Sequence, residues 1–194
     1  DLRMNMPRFW APTFDYESRP DGTILMRQTE ALPAHPQLLA DYLDHWAATA
    51  PDRTWIARRV QGGDWRHISY QLAQDMCRRL GAALLEMGLG PDRPLLILSE
   101  NSLEHALLGM AAIYVGVPYA PVATAYSLVS EDHSKLRDIA ATLQPGAIFA
   151  DDGAAYAKAI AAISAEDRRV INAHNLIEGA LSFEALLDHH PAGS

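Results

Sequence analysis

The sequence predicts an α/β domain, with a mainly parallel sheet covered by helices on both faces and an antiparallel ribbon before it. Three observations predict it. Apolar runs such as Leu95–Leu98 and Ala147–Ala150 lack polar alternation, as strands buried on both sides require. They alternate with longer segments whose apolar residues recur at three- and four-residue steps, the mark of amphipathic helices. Upstream, two strand-like runs flank Gln61-Gly62-Gly63, where glycine supplies the positive φ of a tight hairpin.

Residues 1–35 carry Pro7, Pro12, Pro20 and Pro33 among scattered aromatics, with no helix or strand periodicity. They read as an extended arm, laid over the body by Phe9, Trp10 and Phe14. Residues 36–194 read as the folded α/β part. Leu39, Tyr42, Leu43, Trp46, Ala47 and Ala50 mark a first helix, with Pro36 in its first turn and Pro51 ending it. The ribbon strands are Thr54–Val60 and Asp64–Ser69. Ser69 caps a second helix with Leu72, Met76, Leu80, Leu84 and Met87 on its apolar face, and Gly88 and Gly90 stop it. Alternation then runs through a strand at Leu95–Leu98, a helix over Ser102–Val115, and a strand near Val117–Val122. A helix near Ser130–Leu143, the strand Ala147–Ala150 and a helix near Ala154–Ile163 follow. A short strand at Arg169–Ile171 and a helix near Phe183–His189 close the order.

Composition narrows the function. At 49% hydrophobic, 194 residues can bury a core without metals or disulfides. The net charge of −8 argues against a nucleic-acid partner, which needs a basic footprint. Cys77 is the only cysteine, so no intrachain disulfide forms and a reducing compartment is expected; its apolar helix position predicts a buried structural thiol. No segment approaches the ~18 apolar residues of a membrane span, and the N-terminal stretch has no apolar signal core. The expected setting is cytoplasmic.

Asn101-Ser102-Leu103-Glu104 reads as a capping box with Asn101 at the N-cap and Glu104 at N3. The same turn, at a strand's carboxyl end, is also placed to border a ligand crevice. Gly116-Val117-Pro118 reads as a helix stop and strand entry, and Pro121 confines that strand to an edge or a short run. In the loop Ala123-Thr124-Ala125-Tyr126-Ser127, small residues let a ligand approach the backbone and Tyr126 offers a ring face and a hydroxyl. The alternative is a plain connection in which Tyr126 packs on the sheet and Ser127 caps. Lys135, Arg137 and Asp138 read as a solvated helix face. No HExxH pair, GxGxxG, GxxxxGK[ST] or GxSxG is present, and no metal site is expected.

Four of these stretches, in this order, resemble the N-terminal part of the adenylate-forming acyl-CoA synthetases of the AMP-dependent synthetase/ligase superfamily. Pro51-Asp52-Arg53-Thr54 looks like the family's entry after its first helix, and Ile68-Ser69-Tyr70 like the start of its next. Leu96 through Glu104 looks like the strand leading to an N-S-x-E helix, and Gly116 through Tyr126-Ser127 like the stretch ending in Tyr-Ser/Thr. Arg8 in the Pro-rich arm, Tyr126-Ser127-Leu128 and Lys135-Leu136-Arg137 look most like bacterial feruloyl-CoA synthases.

The resemblance implies a parent enzyme that uses ATP, Mg2+ and coenzyme A to convert an aromatic acid to its thioester, releasing AMP and pyrophosphate. It implies that the Gly-rich phosphate loop and the later motifs lie beyond Ser194. The chain is then the N-terminal part of the ligase, inactive alone, with no cofactor bound and no catalytic residue of its own. Its partner is the remaining C-terminal part of the same ligase. By the same resemblance Thr124, Ala125, Tyr126 and Ser127 are candidates for a coenzyme-A rim. Two other readings stay open: a non-catalytic module docking on a separate catalytic chain, and a flavodoxin-like nucleotide-binding domain.

Overall fold

The computed structural model describes residues 11–60 and 62–189. The chain divides into two compact units, residues 1–36 and 37–194.

The first unit contains an antiparallel ribbon of β1 (Phe14–Ser18) and β2 (Ile24–Gln28) where the sequence reading expected no strand. The signal was there, in a period of two. Phe14, Tyr16, Ile24 and Met26 share one face, and Asp15, Glu17, Leu25 and Arg27 the other. Asp21 turns the chain by accepting the Thr23 N–H at 2.9 Å, and Gly22 takes φ +84°. Phe14 is exposed, while Phe9 and Trp10 lie outside the described residues.

In the second unit α1 (Leu39–Thr49) begins later than expected. Leu38 is its N-cap, so Pro36 precedes the helix, and the Asp41 carboxylate accepts the Leu38 N–H at 3.3 Å. It buries Ala40, Leu43 and Ala47. Trp46 instead lies half-exposed against Tyr70, ring centroids 6.0 Å apart, with Arg53 above its ring. The ribbon β3 (Thr54–Arg59) and β4 (Trp65–Ser69) is antiparallel as expected. A register shift between Thr54 and Ile56 lets both Trp55 and Ile56 pack on the core.

Helix α2 (Tyr70–Glu86) is capped by Ser69 Oγ, which accepts the Leu72 N–H at 3.2 Å. Its buried face is Ala73, Met76, Cys77, Leu80 and Leu84, and Leu72 is exposed. A strict four-residue step drifts about 40° per step at 3.6 residues per turn, so the first leucine falls off the stripe. Gly88, at φ +74°, ends the helix: its N–H reaches Leu85 O at 2.9 Å and that of Leu89 reaches Leu84 O at 3.1 Å. Cys77 is buried, its Sγ 3.6 Å from Leu107 O, and burial pushes its thiol up to about 12.

The sheet is parallel and five-stranded, in the order β6-β5-β7-β8-β9. These strands are β5 (Leu95–Leu98), β6 (Tyr119–Pro121), β7 (Ala147–Asp152), β8 (Arg169–His174) and β9 (Leu181–Ser182). β9, two residues long, is too short to show periodicity and was not expected. Leu95, Ile97 and Phe149 point to the face covered by α2, α3 (Leu103–Tyr114) and α7 (Phe183–His189). Leu96, Leu98, Ile148 and Ala150 point to the other, covered by α5 (Ser134–Leu143) and α6 (Gly153–Ile163). β6 is an edge strand. Leu95 N–H reaches Pro118 O and Val122 N–H reaches Ile97 O, each at 2.9 Å, so Pro121 turns its missing donor outward. Among the described residues no helix is long and apolar enough to cross a membrane.

Candidate functional site at the carboxyl edge of the sheet

Strand β5 sits between β6 and β7, and this order places the site. The chain leaves β5 for α3 on one face and leaves β7 for α6 on the other. The carboxyl ends of β5, at Ser99-Glu100, and of β7, at Asp151-Asp152, therefore border separate grooves on this edge of the sheet.

The start of α3 differs from the expected capping box. Ser102 is the N-cap, and its Oγ accepts the His105 N–H at 3.0 Å. Asn101 therefore stands outside the helix, and Glu104 occupies the second helical position instead of N3. Glu104 is only 6% exposed, and its Oε1 lies 3.3 Å from Arg66 Nη1 on the ribbon. Ser99 Oγ donates to Glu100 O at 2.6 Å, and His105 Nδ1 lies 3.1 Å from the same carbonyl.

An open groove of about 560 Å³ follows this edge, with Glu100, Asn101 and His105 on one wall and Ala123 and Thr124 on the other. Of the four residues expected at the rim, Thr124 is half-buried on the groove and Ala125 is exposed. Ala125 opens the short helix α4 (Ala125–Leu128), where the sequence reading placed a loop. Tyr126 is half-buried against the α5–α6 core, with Lys135 Nζ 5.4 Å from its ring centroid. One ring face is thus covered by a cation. Ser127 is 5% exposed, and among the described residues its buried Oγ has no hydrogen-bond partner, so it does not cap. Ahead of α5 the turn is held by Ser130 Oγ, which accepts the His133 N–H at 3.0 Å, and by Asp132 Oδ1, which accepts the Ser134 N–H at 3.1 Å.

His133 is the site residue that sequence reasoning left without a role. It is buried, left-handed at φ +51°, and places Nε2 3.1 Å from Ser127 O. It thereby ties α4 to the start of α5. A histidine just before a helix gives no signal of this; the αL backbone of a non-glycine residue is visible only in the fold.

Asp151 lines a separate groove with Arg58 and His174, and burial pushes its carboxyl above the usual range, an effect that hydrogen bonds from the Asp152 N–H and Ser99 and the charge of Arg58 only partly offset. Asp152 goes the other way. It accepts the Ala155 N–H at 3.0 Å as the cap of α6, and this together with Asn175 Nδ2 at 2.9 Å holds its carboxyl low. A second groove, of about 420 Å³, runs between the ribbon and α3 past Ile56, Arg58, Leu103, Ala106 and Gly109. It shares Asn101 and His105 with the first.

The fold has counterparts among solved structures. A candidate long-chain-fatty-acid CoA ligase from Rhodopseudomonas palustris CGA009 superposes over 82% of this chain and 38% of its own, with a TM-score of 0.67 at 22% identity. An acetoacetyl-CoA synthetase from Streptomyces lividans covers 80% of this chain and 25% of its own, with a TM-score of 0.66 at 18% identity. A benzoate CoA ligase from Burkholderia xenovorans LB400 covers 80% and 29%, with a TM-score of 0.60 at 21% identity. In sequence, a luciferin 4-monooxygenase from Luciola mingrelica is 36% identical over 67 residues, 34% of this chain and 12% of that protein. The chain thus spans well under half the length of these relatives. Residues 43–191, most of the chain, match the AMP-binding enzymes, and the chain belongs to that family.

Proposed function

We propose that this chain is the N-terminal part of an ATP-dependent acid–CoA ligase, joining a carboxylic acid to coenzyme A with release of AMP and pyrophosphate. The observation that carries the reading is the groove at the carboxyl ends of β5 and β6, bordered by Ser99–Asn101 and Pro121–Thr124, in a chain of the AMP-binding family. The CoA ligases among its structural counterparts support the same reaction class.

The groove lining bears on which part of that reaction these residues serve. Its ionisable side chains are Glu100 and His105, with no lysine or arginine. Such a lining does not fit the triphosphate and Mg2+ of ATP, which need cations and converging backbone donors. No chemical step is assigned to these residues, and nucleotide activation falls to further sequence of the same polypeptide. Thr124 on the groove, with Ala125 and Tyr126 following it in α4, fits a different task, bordering the path of coenzyme A. Ser127 lies beneath them and supports the turn.

The substrate reading is a hydroxycinnamate, feruloyl above all, and rests on the resemblance of the Pro-rich arm and of Tyr126–Leu128 to feruloyl-CoA synthases. The test is thioester formation with ATP, Mg2+ and coenzyme A. The natural full-length polypeptide should turn over ferulate faster than benzoate or a long-chain fatty acid. The 194-residue chain alone should give no thioester. Turnover by that chain overturns the division of labour, and full-length preference for a fatty acid overturns the substrate.

A further inference from the structure

The groove between the ribbon and α3 is walled by elements that are themselves packed. Ile56 sits on the core at the root of the ribbon, and Leu103 is buried in α3. Ser102, His105, Ala106 and Gly109 recur at three- and four-residue steps, so the groove follows one face of the helix for about 10 Å at 1.5 Å per residue. The helix wall is flat there. Ala106 adds only a methyl group, and a Cβ at Gly109 would lie 3.1 Å from the Tyr119 ring. Tyr119 therefore lies against the helix, lines the groove and is 37% exposed.

Polarity is confined to one end. Arg58, Asn101 and His105 also border the two neighbouring grooves of the carboxyl edge, whereas Ile56, Ala57, Ala106, Gly109 and Tyr119 border neither. Among the described lining residues there is no carboxylate, and Arg58 is the one permanent charge. The other guanidiniums of the ribbon are engaged: Arg66 pairs with Glu104 at 3.3 Å, and Arg59 lies over the Trp65 ring. Among the described residues Arg58 closes no ion pair, although its charge reaches Asp151.

We propose that this groove binds a small aromatic carboxylic acid, its carboxylate toward Arg58 and the Asn101 amide and its ring inside, along Ala106 and Gly109 toward Tyr119. Charge complementarity selects the anion, since the lining offers a cation and no competing carboxylate. The flat helix wall and the Tyr119 ring select an aromatic body, because offset or edge-on ring contacts add to what burial alone supplies. The volume of about 420 Å³ falls within the range of small-molecule sites. The site uses the ribbon and the face of α3, which have no part in the ligase reading, and it stands without that reading. Where the reading holds, the bound acid lies next to the groove bordered by Thr124, which meets this one at Asn101 and His105.

The test is a titration of the 194-residue chain with trans-cinnamate, without ATP or coenzyme A, read by backbone amide NMR shifts. Half-saturation should fall at or below about 1 mM, with the shifts concentrated at residues 56–58 and 102–109. Arg58→Gln alters an exposed side chain and should weaken binding about tenfold, and cinnamyl alcohol, which lacks the charge, should bind the unaltered chain about as weakly. Ala106→Leu fills the groove and should abolish binding. Tyr119→Leu should weaken it about threefold or more, which keeps the placement of the ring testable where Ala106→Leu fails to fold. Absence of saturation, shifts centred elsewhere, unchanged affinity in Arg58→Gln or Tyr119→Leu, or tighter binding of octanoate than of cinnamate overturns the proposal. Thioester formation by the full-length polypeptide is a separate measurement, so failure of this site and failure of the ligase reading give different results.

Discussion

Tyr114 donates its hydroxyl to Asp44 Oδ1, and that one oxygen also accepts Gln74 Nε2 at 2.6 Å and Arg78 Nη2 at 3.3 Å. The contact joins α1 to α3, with α2 supplying the other two donors. Burial alone would push the Asp44 carboxyl up, but the hydrogen bonds from Tyr114 and Gln74 and the charge of Arg78 outweigh it and hold the group low. The Tyr114 hydroxyl is pushed upward, first by burial and then by the same carboxylate.

The stability that Asp44 contributes therefore depends on pH in a defined direction. Its folded pKa lies below the unfolded one, so the contribution is complete above about pH 4 and is lost as pH falls through the folded value. The side chain is 40% exposed, which limits this linkage to less than about 1 kcal/mol. Urea melts at pH 7 and pH 3 should show a smaller acid loss for Asp44→Asn than for the unaltered chain. Tyr114→Phe should cost about 1 kcal/mol at pH 7. An equal acid loss with and without Asp44 would remove the carboxylate from the account.

Cys77 gives a prediction from burial alone. With its thiol pushed up to about 12 and its Sγ directed at Leu107 O, it stays neutral and enclosed at pH 8. A thiol reagent should not modify the native chain on the minutes timescale and should modify it at once in denaturing urea. Rapid native labelling would mean that α2 and α3 separate far more often than their packing implies.

Much of the sheet was legible because its strands are buried on both faces. Leu95–Leu98 and Ala147–Ala150 have no polar residue to confuse the pattern, and Gly88 and Gly116 mark helix ends by a backbone angle that glycine alone adopts freely. The first ribbon was missed because Pro12 and Pro20 bracket an alternation only five residues long. At the carboxyl edge the sequence located Thr124–Ser127 but not what each side chain does there. Whether Ser127 caps or lies buried is decided by His133 and α6, which reach it only through the fold. The N-cap shifted from Asn101 to Ser102 because both residue types can cap and Glu104 suited the first pattern. Its ion pair with Arg66 crosses between elements 38 residues apart in sequence and leaves no local trace.

Two buried hydroxyls carry the next prediction. Among the described residues Ser127 Oγ has no hydrogen-bond partner and Tyr156 Oη none of good geometry, and burial, partly offset by the Glu100 backbone beside it, pushes the Tyr156 hydroxyl up to about 12. An unsatisfied buried hydroxyl costs about 1–3 kcal/mol relative to one that is paired. Ser127→Ala and Tyr156→Phe should each leave the melting temperature unchanged or raise it. A fall of several degrees in either variant would show that a bound water supplies the missing partner.

Gly153 is where adding one carbon does most damage. It is the first residue of α6, and a Cβ there would lie 2.5 Å from Asn172 Oδ1 and 2.6 Å from Asn175 O. Neither neighbour can yield cheaply. Asn172 is fully buried, donating through Nδ2 to Ala150 O and Ile171 O at 3.0 Å each and accepting the Ile177 N–H at 3.3 Å. Asn175 is fixed at φ +46° and bonded to Asp152, the cap of α6. A methyl group at residue 153 therefore pushes the α6 start away from the β8–β9 connection. Gly153→Ala should cost about 2–3 kcal/mol, roughly 5–10 °C in melting temperature for a chain of this size. Gly90→Ala is the matched control, since a Cβ at Gly90 meets nothing within 4 Å. Equal stability of the two alanine variants would mean that Asn172 and the α6 start can move apart without loss, and that the carboxyl edge is softer than its hydrogen bonds imply.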